Sequence, residues 1–235
     1  MRKLSNRDPA VWLGRVNRHI VSRALSSRWD ADTEGLIEVD ALGLDAERDV
    51  WYEPTPWLIL HLALWVCRPR HTDVFVDVGS GKGRILLQAA RYPFKRLVGI
   101  DKSPTMLDIA RRNLDRNRQR LKCEDISLVR GDIAEVGLPR DATTVYSFNP
   151  VIDSTMAALV AQLIESARCR QAPLRFIYYN PLYHHLVMRT GCARVVLATR
   201  PHVLLNGMRL NIYEVMPSQP GVKTSLRELG LDAVD

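Results

Sequence analysis

Three glycines spaced by one residue, Gly79, Gly81 and Gly83, follow the apolar run Val74-Phe75-Val76-Asp77-Val78, in which Asp77 is the one charged residue. Glycine lets the backbone take positive φ and lets a ligand reach the main chain without meeting a Cβ. If a helix starts directly behind such a turn, its free N–H groups face that ligand. The acid narrows the ligand class. A dinucleotide-binding turn reads Gly-x-Gly-x-x-Gly and seats a pyrophosphate over the helix start. A Gly-x-Gly-x-Gly turn preceded by a carboxylate repels a diphosphate and suits a cationic amine, so Asp77, Gly79, Ser80, Gly81 and Gly83 are candidates for holding a ligand with an ammonium end.

Further polar residues follow four other strand-like runs. Leu97-Val98-Gly99-Ile100 leads into Asp101 and Lys102, roughly twenty residues beyond the glycines, where such folds hold a ribose diol. Ile126-Ser127-Leu128-Val129 leads into Arg130-Gly131-Asp132-Ile133, whose carboxylate could accept from an exocyclic amino group. Thr144 to Phe148 runs into Asn149-Pro150, and Pro173 to Tyr179 into Asn180-Pro181-Leu182-Tyr183.

For these groups to meet, the runs must be neighbouring strands with helices between them. The spacing predicts helices over Trp57 to Cys67, Arg84 to Arg91, Thr105 to about Arg120, Ser154 to about Cys169, and about Leu182 to Thr190. Ser103-Pro104 matches an N-cap followed by proline at the first helical position. Strands over Ala193 to Thr199 and Arg209 to Val215 flank an Asn206-Gly207 turn signal. Alternation of this kind predicts an α/β fold: a doubly wound, mostly parallel seven-strand sheet with helices on both faces and a C-terminal β-hairpin, preceded by an N-terminal helical extension.

In order and spacing, the strand ends from about residue 50 to 216 resemble the motifs of the class I, seven-strand S-adenosylmethionine-dependent methyltransferases. The resemblance implies S-adenosylmethionine as cofactor and S-adenosylhomocysteine as product. Its candidate binding residues are Tyr52, Glu53, Thr55, Asp77, Gly79, Ser80, Gly81, Gly83, Asp101, Lys102, Gly131, Asp132, Ile133, Phe148, Asn149 and Pro150. Asp77, Gly79, Ser80, Gly81, Gly83 and Arg84, with the upstream Tyr52-x-Pro54-Thr55, are also similar to seven-strand lysine methyltransferases, including non-SET histone enzymes and those that modify ATP synthase subunit c. Lys82 departs from that group, which often has Asp or Val there.

The family turn for conjugated amines is Asn/Asp-Pro-Pro-aromatic. Asn149-Pro150-Val151 lacks the second proline and the aromatic, which counts against an exocyclic amine of nucleic acid. Asn149, Tyr179 and Asn180 are the catalytic candidates, with Tyr178 and Tyr179 as an aromatic wall for an alkyl ammonium. His184 or His185 is a further candidate base, although neighbouring histidines at a helix start are more commonly surface residues. The expected reaction is methyl transfer to a nitrogen, in a protein lysine or a small molecule. Alternatives are a small-molecule O- or N-methyltransferase and a catalytically silent cofactor-binding protein.

The 235 residues, 46% apolar, suffice for one domain and an appendage. Net charge is +7, and nucleic acid is the disfavoured partner. Cys67, Cys123, Cys169 and Cys192 form no Cys-x-x-Cys pair, and no histidine cluster has ligand spacing, so neither a metal site nor a disulfide framework is expected. No apolar run is long enough to span a bilayer, and the start of the chain lacks a signal-peptide core; a cytoplasmic location is the expectation. Residues 1–29 carry seven bases and one acid, residues 30–49 one base and eight acids. Trp12, Val16, Ile20 and Ala24 predict an amphipathic helix from Pro9 to Ser27, serving as a lid, a homodimer contact or a packed helix, the last being the plainest. The expected division is an N-terminal basic helix and acidic connector over 1–50, the cofactor-binding domain over 51–216, and a tail over 217–235.

Overall fold

The computed structural model describes residues 27–35, 53–148, 153–201 and 207–217. The predicted helix before Ser27, the connector beyond Gly35, Tyr52, Asn149, Pro150, Asn206 and nearly all of the tail lie outside the described residues.

Helix α1 (Trp57–Cys67) precedes β1 (Val74–Val78), α2 (Arg84–Ala89), β2 (Arg96–Asp101), α3 (Pro104–Asn117) and β3 (Ile126–Arg130). Then come α4 (Ile133–Val136), β4 (Thr144–Phe148), α5 (Asp153–Arg170), β5 (Leu174–Tyr179), α6 (His184–Arg189), β6 (Ala193–Ala198) and β7 (Leu210–Val215). The strands form one seven-stranded sheet in the order β3-β2-β1-β4-β5-β7-β6. All pairs are parallel except those of β7, which runs antiparallel to both neighbours.

The predicted elements form close to their expected ends. Helix α3 starts at the predicted cap, where Ser103 Oγ accepts from the Met106 N–H and Pro104 occupies the first turn. Helix α2 stops two residues short of the expected Arg91, and the helical segment after Asn117 tightens to 3₁₀ over Arg118–Arg120. Strand β1 is buried on both faces, whereas edge strand β6 alternates half-buried and exposed residues, as a doubly covered centre and a rim require.

Side-chain alternation splits the core in two. Phe75, Tyr146, Ile177, Tyr179 and Ile212 pack with α1 and α2 on one face. Val76, Val145, Phe176, Tyr178 and Tyr213 pack with α5 and α6 on the other. Because β2 and β4 lie on opposite sides of β1, the strand order reverses there and opens a crevice at the strands' carboxyl ends. The glycine turn sits in that crevice.

The turn is tied down by backbone bonds from the Gly79 and Ser80 N–H groups to Ile100 O, at 2.9 and 3.0 Å, and from Gly83 N–H to Ser80 O at 2.9 Å. Gly83 ends it with φ +79°, and a Cβ there would lie 3.1 Å from Ala110 Cβ on α3. Gly83→Ala therefore combines left-handed strain with a contact that a buried helix cannot relieve. It should lower stability by about 1–3 kcal/mol, read as a reduced urea midpoint with unchanged slope.

Candidate active site

Asp77 is central. It lies in the middle of β1, opposite Gly99 of β2 and Tyr146 of β4, and is 1% exposed. Its Oδ2 is buried without a hydrogen-bond partner. Burial, then the nearby Asp101 carboxylate, raises its pKa well above the usual carboxylate range. A buried acid with no cation to relieve it among the described residues suits a ligand that brings the positive charge. The ammonium end of S-adenosylmethionine fits that requirement, and a diphosphate does not.

Thr55 reaches Tyr146, the β4 neighbour of Asp77, from the upstream turn. It is buried, and its Oγ1 lies 2.8 Å from the Tyr146 hydroxyl. Burial raises the Tyr146 pKa well above its ordinary value, with the Asp77 charge adding to the shift. The Pro-Thr segment is thus bonded to the strand residue that flanks the carboxylate. Glu53, two residues upstream of Thr55, is half-buried.

Asp101 spans the turn rather than standing apart from it. Its Oδ2 accepts from Gly81 N–H at 2.8 Å and its Oδ1 from Ser103 N–H at 2.9 Å. Asp132 caps α4 through the Ala134 N–H at 2.8 Å and pairs with Lys102 Nζ at 2.9 Å. Lys102, Gly131, Asp132 and Ile133 are therefore gathered beside Asp101, because Gly131 N–H bonds Asp101 O at 3.0 Å. Ser80 is buried with an unpartnered Oγ.

The expected aromatic wall is different from its prediction. Tyr178 and Tyr179 point to opposite faces, as consecutive strand residues must. Tyr178 packs against Phe176 beneath α5 and α6, and Tyr179 packs against Phe148, with ring centroids 4.6 Å apart. Phe148 is partly exposed at the end of β4, and fully buried Tyr179 backs it. Asn180 terminates β5 with φ +54°, and its N–H bonds Arg209 O at 2.8 Å. His184 Nδ1 lies 2.7 Å from the Tyr213 hydroxyl, which also accepts from Asn211 Nδ2 at 2.7 Å. The exposed His185 ring lies 6.4 Å from Tyr183. Among the described residues no cluster of His, Cys, Asp or Glu could hold a metal ion.

Sequence reasoning missed residues 28–35, which lie against the turn through Lys82 and Arg84. The mixture of acids in that stretch has no periodicity. The available signal was the pair of bases at 82 and 84, which a turn receiving a cation would be expected to avoid unless acids accompany them.

Residues 75–170 match a family model described as a methyltransferase domain. Over 98 residues, 41% of this chain, the sequence is 30% identical to a protein-lysine N-methyltransferase of Saccharolobus islandicus (strain REY15A), and the alignment spans 58% of that relative. The structure is similar to an RNA methyltransferase of Salinibacter ruber in complex with S-adenosylhomocysteine, with TM-score 0.54 and 21% identity over 74% of this chain and 99% of that one. It is also similar to an rRNA methylase of Streptococcus thermophilus, with TM-score 0.51 and 10% identity over 68% and 97%. At these identities the structural likenesses establish the fold.

The raised Asp77 pKa sets a sign. Ionising the buried acid disfavours the folded, unliganded protein, so this group lowers stability as pH rises from the usual carboxylate range towards its raised value. Asp77→Asn should remove that fall, read as the pH dependence of the melting temperature. S-adenosylhomocysteine affinity, measured by calorimetry, should rise over the same pH range in the parent and stay flat in the variant. Loss of the ion pair should also weaken binding about ten- to a hundredfold.

Proposed function

We propose, from the premise that this chain carries a class I S-adenosylmethionine-dependent methyltransferase domain, that it transfers the methyl group to a nitrogen acceptor, a protein lysine in particular. The buried Asp77 carboxylate in front of the glycine turn, whose Oδ2 has no hydrogen-bond partner, is the single observation that carries the cofactor part of this reading. S-adenosylmethionine, when bound, supplies a methyl already activated by its sulfonium, so the protein's main task is orientation. Asp77 would hold the ammonium end, with Thr55 and Tyr146 closing the wall beside it. Asp101 would take the ribose side, and Asp132, set by Lys102, the adenine side.

Phe148 leads from this cofactor face to Asn149. An aromatic ring braced from behind by Tyr179 can meet an alkyl amine through its π face. It offers little hydrogen bonding to a hydroxyl, which favours nitrogen over oxygen. Tyr179 acts in this reading by fixing Phe148, and Asn149 and Asn180 are the acceptors for the amine's protons. The similarity to a protein-lysine N-methyltransferase supports lysine as the acceptor.

Incubation with methyl-labelled cofactor and cell extract tests the acceptor. Label should appear in protein and, after hydrolysis, in Nε-methyllysine. Label in the small-molecule fraction overturns the lysine reading, and no label in any fraction overturns the enzymatic one. Phe148→Ala should lower kcat/KM for the acceptor about fivefold, from loss of about 1 kcal/mol of cation–π contact. In this reading the ring meets the acceptor, so the cofactor KM should change less than the acceptor's.

A further inference from the structure

Lys82 and Arg84 flank the last glycine of the cofactor turn, and the binding scheme above gives neither a ligand to hold. Both are only 4% exposed, and both direct their charges at residues 28–35. Lys82 Nζ donates to Asp32 Oδ1 at 2.9 Å and Glu34 O at 2.8 Å. Arg84 Nε donates to Thr33 Oγ1 at 3.1 Å. Its Nη2 donates to Thr33 O at 2.7 Å and pairs with Glu34 Oε1 at 2.7 Å, and its Nη1 donates to Thr55 O at 3.0 Å. The guanidinium lies 4.9 Å above the Trp57 ring, on which Trp29 stacks.

Helix α3 holds the same segment from another side. Asn113 Oδ1 accepts from Asp32 N–H at 2.8 Å, while its Nδ2 donates to Asp32 O and Lys82 O, both at 2.9 Å. One turn later, Asn117 does the same for Asp30, accepting at 3.2 Å and donating at 2.9 Å. Two amides at i and i+4 therefore bond alternate residues of the segment as a neighbouring strand would.

We propose that residues 28–35 form a clamp that sets the geometry of the cofactor turn, with Lys82 and Arg84 as its positioning residues, so that cofactor affinity depends on their pairing with Asp32, Thr33 and Glu34. The proposal rests on the S-adenosylmethionine reading of that turn. Gly79, Gly81 and Gly83 all have positive φ, and such a turn has much conformational freedom to lose. Helix α2 is six residues long and lacks a side-chain N-cap, so its start gains little from local structure. Fixing the turn before the ligand arrives raises affinity without any contact to the ligand. Arg84 also carries the clamp to the carboxylate. Its bond to Thr55 O joins the residue whose hydroxyl meets Tyr146 beside Asp77.

The test uses full-length Lys82→Met, Asp32→Asn, Lys82→Arg and the exchanged pair Asp32→Lys/Lys82→Asp. Calorimetry with S-adenosylhomocysteine gives affinity, and hydrogen exchange gives the mobility of residues 79–84. Losing the charged pairing should weaken binding about tenfold in Lys82→Met and Asp32→Asn. Amide exchange in the turn should quicken, while kcat at saturating cofactor stays at the parent value. Lys82→Arg, or the exchanged pair, should recover most of the affinity. Parent-like affinity in both single neutralising variants, or unchanged exchange in the turn, overturns the clamp. Should the parent itself fail to bind S-adenosylhomocysteine, the cofactor reading falls, and the exchange rates alone decide whether the clamp sets the turn.

Discussion

A carboxylate buried in the middle of a parallel sheet must be neutralised by a proton, an internal cation or a ligand, and the surroundings of Asp77 narrow that choice. Among the described residues nothing lowers its pKa: burial raises it, and the nearby Asp101 raises it further. Yet two bases stand within seven residues along the chain. Arg84 uses its guanidinium on Thr33, Glu34 and Thr55, and Lys82 directs its ammonium to Asp32 and Glu34. Tyr146, the strand neighbour, bonds Thr55 through its hydroxyl. Lys82, Arg84 and the Tyr146 hydroxyl are committed elsewhere, and desolvation favours any cationic ligand that reaches the carboxylate.

Strand geometry explains how this charge and the Phe148–Tyr179 pair share a location. Asp77 and Tyr146 are directly opposed, and two residues further along, Phe148 opposes Tyr179. All four side chains therefore lie on the face covered by α1 and α2. Glycine at position 99 completes the row on the other side, where a Cβ would meet Leu86 Cδ1 at 2.6 Å and Ser80 Oγ at 3.0 Å. Its lack of a side chain lets the glycine turn and α2 settle against β2. The opposite face holds Tyr178, Tyr213 and Asn211, whose hydroxyl and amide groups lead to His184 and away from Asp77.

Elements whose signal is local were legible in the sequence. The apolar strand runs, the Ser103-Pro104 helix start and the glycine turn each state their conformation within a few residues, and each forms where expected. The sides of Tyr178 and Tyr179 were legible too, since alternation alone separates them, but reading both as one wall ignored that period. Residues 28–35 were not legible because their conformation is decided by hydrogen-bond partners 48 to 92 positions away in sequence. An acidic stretch without periodicity carries no local preference that names Asn113, Asn117, Lys82 or Arg84. The two asparagines offered a faint hint, since Asn is a poor residue for a helix interior unless its amide has work there.

Lys82 is where the turn departs from the lysine methyltransferases it resembles, and the departure has a physical counterpart. An unaccompanied ammonium in a turn that must receive another ammonium would oppose binding by like-charge repulsion. Asp32 and the Glu34 carbonyl draw it out of that role, and burial of the Lys82 stem leaves it few other directions. The Glu34 carboxylate pairs with Arg84, so one short segment resolves both charges and fixes the residues on either side of Gly83. The bases at 82 and 84 and the acids at 32 and 34 are thus parts of one device, because without the acids two buried cations would lose these charged partners.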